Sequence, residues 1–175
     1  MSAGTQPDPQ RPAEFDRAAM AAGLARFLDE FIRGTRLELR FDIRESAPGA
    51  GGEFEQPEIL AEFKGPDQDL LLERQGELLL AVEYLALRCL HLPPSQHDRI
   101  RLDCAGWRAL RLEELKLSAQ VAAERVRESK QPFRFNPMPA RDRRVIHLAL
   151  SDVAGVRTAS EGAGDHRQVV IYPAK

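Results

Sequence analysis

Arginine and histidine four positions apart are the residues of this chain best suited to act on an anion. The stretch RDRRVIHLAL, Arg141 to Leu150, places Arg141, Arg143 and Arg144 within four residues and follows them with His147. In a helix, Arg143 and His147 are i and i+4, and Arg144 and His147 are i and i+3, so the three share neighbouring parts of one face. No local ion pair results. Cations at a helix N-terminus also oppose the macrodipole, by about 0.3–1 kcal/mol each at low salt, and Asp142 offsets only part of that. An anionic ligand would complete such a face, because the free N–H groups of a helix start attract phosphate as well. The plainer alternative is a solvated basic face, which is what most charge runs are.

Other chemistries find less support. An enzyme acting on phosphodiesters through His147 needs a nucleophile or a metal and a second acid or base within reach, and Asp142 is the only carboxylate nearby. Cys89 and Cys104 form no metal-ligand spacing with His91 or His97. No catalysis, cofactor or metal is therefore expected, and the two cysteines are expected to be buried thiols. Trp107 and Tyr84 are the aromatics that could stack on bases; Trp107 is expected to pack as a hinge between the two halves of the chain, and Tyr84 to sit in the core.

The elements that position these residues follow from hydrophobic spacing. The chain has 175 residues, 43% of them hydrophobic, enough for one ordinary domain or two small ones. MSAGTQPDPQRP at the N-terminus is polar and Pro-rich and reads as a disordered tail over residues 1–12. It has neither a basic nor an apolar leader segment, and no apolar run approaches the length of a membrane span, so a cytoplasmic location is expected. Met20, Leu24, Phe27, Leu28 and Phe31 recur at helical spacing, with Gly34 as the expected stop. LELRFDIRE alternates as a half-buried strand from Leu37 to Ile43, and SAPGAGGEFEQ is a Gly-rich loop before a second strand with Ile59, Ala61 and Phe63 inward. Two helices divided at Gly76 and a third strand, RIRLDC, complete the first half. In the second half a long helix runs from Gly106 to about Ser129. Then come the extended FRFNPM, a helix opened by Pro139, and the strands VRTAS and RQVVIY, joined by the turn-rich EGAGDH.

The net charge of −2 conceals a division. Residues 106–175 carry 13 Lys and Arg against 8 Asp and Glu, a net of +5; residues 1–105 carry 12 against 19, a net of −7. A basic half is the electrostatic footprint expected for a polyanion partner, and an acidic half would be steered away from one.

The context of the opening motif, PMPARDRRVIHLAL followed by VRTASEGAGDHRQVVIYP, resembles the R-x3-H domain, named for an arginine and a histidine separated by three residues. Together with LLLERQGELLLAVEYLALR and RIRLDCAGWR, residues 13–173 resemble the bacterial Jag family of RNA-binding proteins, in which a KH-like domain precedes the R-x3-H domain. The resemblance does not reach the additional N-terminal domain of many members. It implies an α+β chain: a KH type II-like domain over residues 13–104, in the order helix-strand-strand-helix-helix-strand, then a small R-x3-H α+β domain over residues 106–175. It further implies non-catalytic binding of single-stranded RNA, or of single-stranded DNA, by Arg141, Arg143, Arg144, His147, Arg157 and Arg167. An alternative role for His147 is structural, bonding the VRTAS strand.

One position departs from the family pattern. KH domains clamp about four nucleotides with a GxxG loop between two helices, and the matching residues are Glu73, Arg74, Gln75 and Gly76. Glutamate in place of the first glycine adds a Cβ where the backbone should approach and a negative charge where phosphate should sit. Weak RNA binding by the first half is therefore expected, and the alternative function is an interaction protein whose KH-like half binds a protein partner or itself, with RNA contact secondary.

Overall fold

A computed structural model describes residues 15–47 and 57–174. The expected tail and residues 48–56 of the Gly-rich loop lie outside them. The chain divides between Ala105 and Gly106 into two compact units.

In the first unit, helix α1 (Arg17–Thr35) is capped by Asp16, whose carboxylate accepts from the Ala19 N–H at 3.0 Å. Strands β1 (Arg40–Glu45) and β2 (Ile59–Lys64) pair antiparallel, and β3 (Ile100–Cys104) adds to β2 in parallel, giving the order β1-β2-β3. Between β2 and β3 runs α2 (Gln68–Cys89), which is broken at Glu73–Gly76 into a short and a long helical segment. Ile59, Ala61 and Phe63, with Ile100, Leu102 and Cys104, are fully buried on the sheet, as their alternation predicts, together with Leu24, Leu28, Leu71, Leu79 and Val82 from the helices.

Four local expectations fail here for identifiable reasons. Helix α1 continues through Gly34 and stops at Arg36, which adopts the left-handed conformation (φ 58°) and donates its N–H to Ile32 O. The first strand begins at Arg40 and not at Leu37, because the Leu39 N–H turns back onto Leu37 O and the Glu38 N–H donates to Asp67 at 2.7 Å. The Glu38 carbonyl also approaches Gly65 so closely that a Cβ there would lie 2.2 Å from it. Tyr84 is 58% exposed, since α2 buries Leu79, Val82, Glu83, Ala86 and Leu87 and turns Tyr84 outward. Cys104 is buried, and burial pushes its thiol pKa up, but Cys89 at the end of α2 is exposed.

The first unit also buries charge. Glu83 and Arg101 are 5% and 2% exposed. The Glu83 carboxylate accepts from the Leu102 N–H at 2.9 Å, and Arg101 donates to His97 O, Ile100 O and Asp98. The alternation of RIRLDC places Arg101 on the outer face; this bonding explains how it is buried instead.

The second unit is α3 (Trp107–Ser129), β4 (Phe133–Arg134), α4 (Ala140–Ala149), β5 (Val156–Glu161) and β6 (Gln168–Pro173). Its three strands are antiparallel in the order β4-β6-β5. Val126 of α3, Ile146 of α4 and Val169, Val170 and Ile171 of the central strand are fully buried. Both units mix helix and sheet, so the chain is α+β. Among the described residues no helix is long and apolar enough to cross a membrane.

Candidate nucleic-acid interface

Helix α4 carries the motif, and its own pattern fixes which side chains face inward. Val145, Ile146 and Leu150 are buried, so Arg143 and His147, one turn apart, fall at the border facing β5, while Arg144 is exposed and Arg141 half-buried. On β5, Thr158 and Ser160 point to this side. His147 Nδ1 lies 2.6 Å from Thr158 Oγ1 and Nε2 lies 2.8 Å from Ser160 Oγ. Arg143 Nη1 donates to the same Ser160 oxygen at 3.1 Å, and its Nε donates to Met138 O at 3.2 Å. Ser160 thus bridges the motif arginine and the motif histidine.

The electrostatics follow. Burial, and then the Arg143 charge, hold the His147 pKa below the ordinary histidine value. The ring is neutral at pH 7, which removes the like-charge conflict that the spacing suggests. Either tautomer is satisfied, because a hydroxyl accepts from the nitrogen that carries the proton and donates to the one that does not. Arg143 has five N–H donors. Those on Nη2 have no partner among the described residues, which leaves one edge of a held guanidinium open.

The start of α4 is pinned by two further links. Asp142 Oδ2 accepts from Arg111 Nε at 3.1 Å and Nη2 at 3.0 Å, tying α4 to α3, and Arg111 Nη1 also binds Glu114. Asp142 is thereby held by Arg111. The Met138 N–H donates to Arg167 O at 3.1 Å, so Arg167, itself exposed, lies at the same end of the unit as Arg141 and Arg143.

Arg157 belongs elsewhere. The family pattern groups it with Arg143 and His147, yet side chains alternate along a strand, so it stands on the face of β5 opposite Thr158 and Ser160. There its guanidinium lies 4.4 Å from the Tyr172 ring centre. Strand alternation alone separates Arg157 from the motif. The contributions of Met138 and Arg111 escape the sequence reading, whereas the alternative that His147 bonds the VRTAS strand is what the structure shows, through Thr158 and Ser160.

In the first unit, Glu73 has φ −54° and ψ 150°, and Arg74, Gln75 and Gly76 follow with φ of 50°, 63° and 76°. The left-handed turn is present, but the position occupied by glutamate is an extended one open to any residue. The Cβ at Glu73 therefore causes no backbone strain; the charge is what departs from the KH pattern. Arg74 is directed outward with Glu77 3.9 Å away. Among the described residues no group of three or more His, Cys, Asp or Glu is placed to hold a metal ion.

Residues 113–173 match the family model of the R-x3-H domain. The chain is 31% identical over 137 residues to the RNA-binding protein KhpB of Clostridium symbiosum, covering 77% of this chain and 62% of that protein. It is 33% identical over 109 residues to the RNA-binding protein KhpB of Bacillus subtilis (strain 168), covering 61% and 52%. A third relative of the same name, from Lactiplantibacillus plantarum, is 34% identical over 110 residues, covering 62% of this chain and 34% of the relative. The chain thus spans less than two thirds of the length of these relatives. The motif helix, its β5 partners and these alignments agree: residues 113–173 are an R-x3-H domain, and the chain as a whole is similar to the RNA-binding proteins of the Jag family.

Proposed function

We propose that this protein binds single-stranded RNA without catalysis, through the basic surface at the start of α4. The observation that carries the reading is the Arg143–Ser160–His147 network: it fixes a guanidinium by two of its donors and leaves another edge open, which suits a phosphate oxygen. Arg141, Arg144 and Arg167 surround it, and Arg157 contributes from the other face of β5. The R-x3-H match and the relatives named as RNA-binding proteins support the same reading. A non-catalytic role is supported by the relatives, which are named as RNA-binding proteins.

The test is a salt titration of binding to a single-stranded RNA, with a single-stranded DNA of the same sequence alongside. Each neutralised phosphate contributes about −0.7 to the slope of log K against log salt, so a slope steeper than about −2 is expected. An affinity unchanged between low and moderate salt overturns the reading.

A second reading has one specific observation in its favour. Leu78, Tyr84 and Leu85 on the long segment of α2 are all exposed, a surface suited to a protein partner or a second copy. Sedimentation that depends on concentration, and that is abolished by Leu85→Glu, would favour it.

A further inference from the structure

The two helices of the second unit lie on one side of its sheet. His147 of α4 meets Thr158 and Ser160, and Arg125 of α3 lies 6.0 Å from the ring centre of Phe133. Cross-strand partners share a face, and the pairs Phe133↔Ile171 and Thr158↔Ile171 put these residues together on the helix side. The pairs Arg157↔Tyr172 and Arg134↔Val170 therefore lie on the other face, with Ala159 and Glu161.

That face is organised. The Arg157 guanidinium sits 4.4 Å from the Tyr172 ring centre, the Tyr172 hydroxyl donates to Glu161, and Arg134 Nη1 donates to the other Glu161 oxygen at 2.7 Å. The ring is thus anchored at its hydroxyl end, and Arg157 is exposed above it. Glu161 stays ionised, because the Tyr172 hydroxyl and then Arg134 hold its pKa below the ordinary carboxylate value. Its charge offsets Arg134, so the face has little attraction for a phosphate beyond that of Arg157. What it offers is a planar, polarised surface, a guanidinium already seated on an aromatic ring.

We infer that the Arg157–Tyr172 pair, on the face of the β4-β6-β5 sheet away from the helices, is a second subsite, at which a nucleobase of a bound single strand stacks on the exposed guanidinium. The inference rests on the RNA-binding reading above and adds to it a base-contacting surface distinct from the phosphate-seeking start of α4. Stacking is sequence-tolerant, since every base has a π face.

Two probes separate stacking from charge: a single-stranded RNA of about twelve nucleotides, and an abasic strand of equal length with the same phosphates. Arg157→Lys keeps the charge and removes the plane; Tyr172→Leu removes the ring. Each is expected to lower affinity for the base-bearing strand by roughly 5- to 100-fold while leaving the abasic strand within about two-fold. Tyr172→Phe, which keeps the ring and loses only the Glu161 bond, is expected to lose less affinity for the base-bearing strand than Tyr172→Leu does. Equal losses on both probes, a loss in Tyr172→Phe matching that of Tyr172→Leu, or no loss in Arg157→Lys overturns the subsite while the RNA-binding reading stands. Wild-type protein that binds neither strand overturns both.

Discussion

The two units use their charged side chains in opposite ways. In the first, Glu83 and Arg101 are sealed from solvent, and their bonds go to the Leu102 N–H, to backbone carbonyls and to Asp98. In the second, Arg143 and His147 are half-buried at a helix border, held by Met138 O, Thr158 and Ser160, with one edge of the guanidinium outward. A charge that is fully enclosed contributes to the fold and offers nothing to a ligand. A charge held on one side only keeps donors for a ligand and has already lost much of its rotamer freedom, so less entropy is lost when a ligand arrives. The same contrast separates the two helix starts: the one after Glu73–Gly76 bears a carboxylate, and the one after Pro139 bears arginines.

The largest effect should come from breaking the enclosed pair. Glu83→Ala leaves the buried Leu102 N–H without its acceptor and removes one carboxylate beside Arg101, which keeps Asp98, and a loss of about 1–3 kcal/mol is expected in urea denaturation. RNA affinity per folded molecule should not change. A loss under about 1 kcal/mol would erase the contrast drawn between the units.

Next in size is the half-held cluster. Arg143→Ala should lower RNA affinity by roughly ten-fold or more, as expected for a charge-assisted contact, with a stability cost of about 1 kcal/mol from the lost tethers to Met138 and Ser160. Ser160→Ala keeps the charge and removes the bridge, so its affinity loss should be smaller but present. Should Ser160→Ala bind as the wild type does while Arg143→Ala binds poorly, the guanidinium acts without being positioned.

The degenerate loop gives smaller shifts of opposite sign. Arg74 occupies a left-handed conformation, so Arg74→Gly should stabilise the first unit by about 0.5–1 kcal/mol. Glu73 is extended, so Glu73→Gly should destabilise it by up to about 1 kcal/mol through the entropy of the unfolded chain. Thermal melts of the two variants test whether charge or backbone sets this loop apart.

The smallest effect is one of pH. His147 has a folded pKa below 6.5, so on acidification the unfolded chain takes up the proton first. The stability His147 contributes is complete above about pH 6.5 and declines as pH falls below it, until the lowered folded value has been passed. His147→Asn should melt with less dependence on pH between about 7.5 and 5. An unchanged slope would mean that the ring is not shielded in the fold.

Local pattern made much of this legible. The alternation in RIRLDC and the helical spacing of Leu24 and Leu28 identify their elements, and the four-residue step from Arg143 to His147 places both on one helix face before any coordinates are known. Contacts between elements distant in sequence were not legible: Ser160 lies 17 residues from Arg143, and Asp142 lies 31 from Arg111. Nothing local distinguishes those residues from solvated ones. Glu83 and Arg101 likewise read as surface charges, since a sequence does not reveal that a carboxylate will face an N–H. Arg157 is a different case, because the period of a strand already assigned it to the far face.

One consequence of Glu83 reaches beyond the unit that contains it. Strand β3 forms one margin of its sheet, and such a margin ordinarily invites a strand from another molecule. Here the Leu102 N–H is taken by Glu83 and the Cys104 N–H, two residues along, by Asp103 at 2.8 Å. A foreign strand arriving there would meet carboxylates in place of open donors. Two of the donors on which a strand from another molecule would have to pair on that side are therefore already taken.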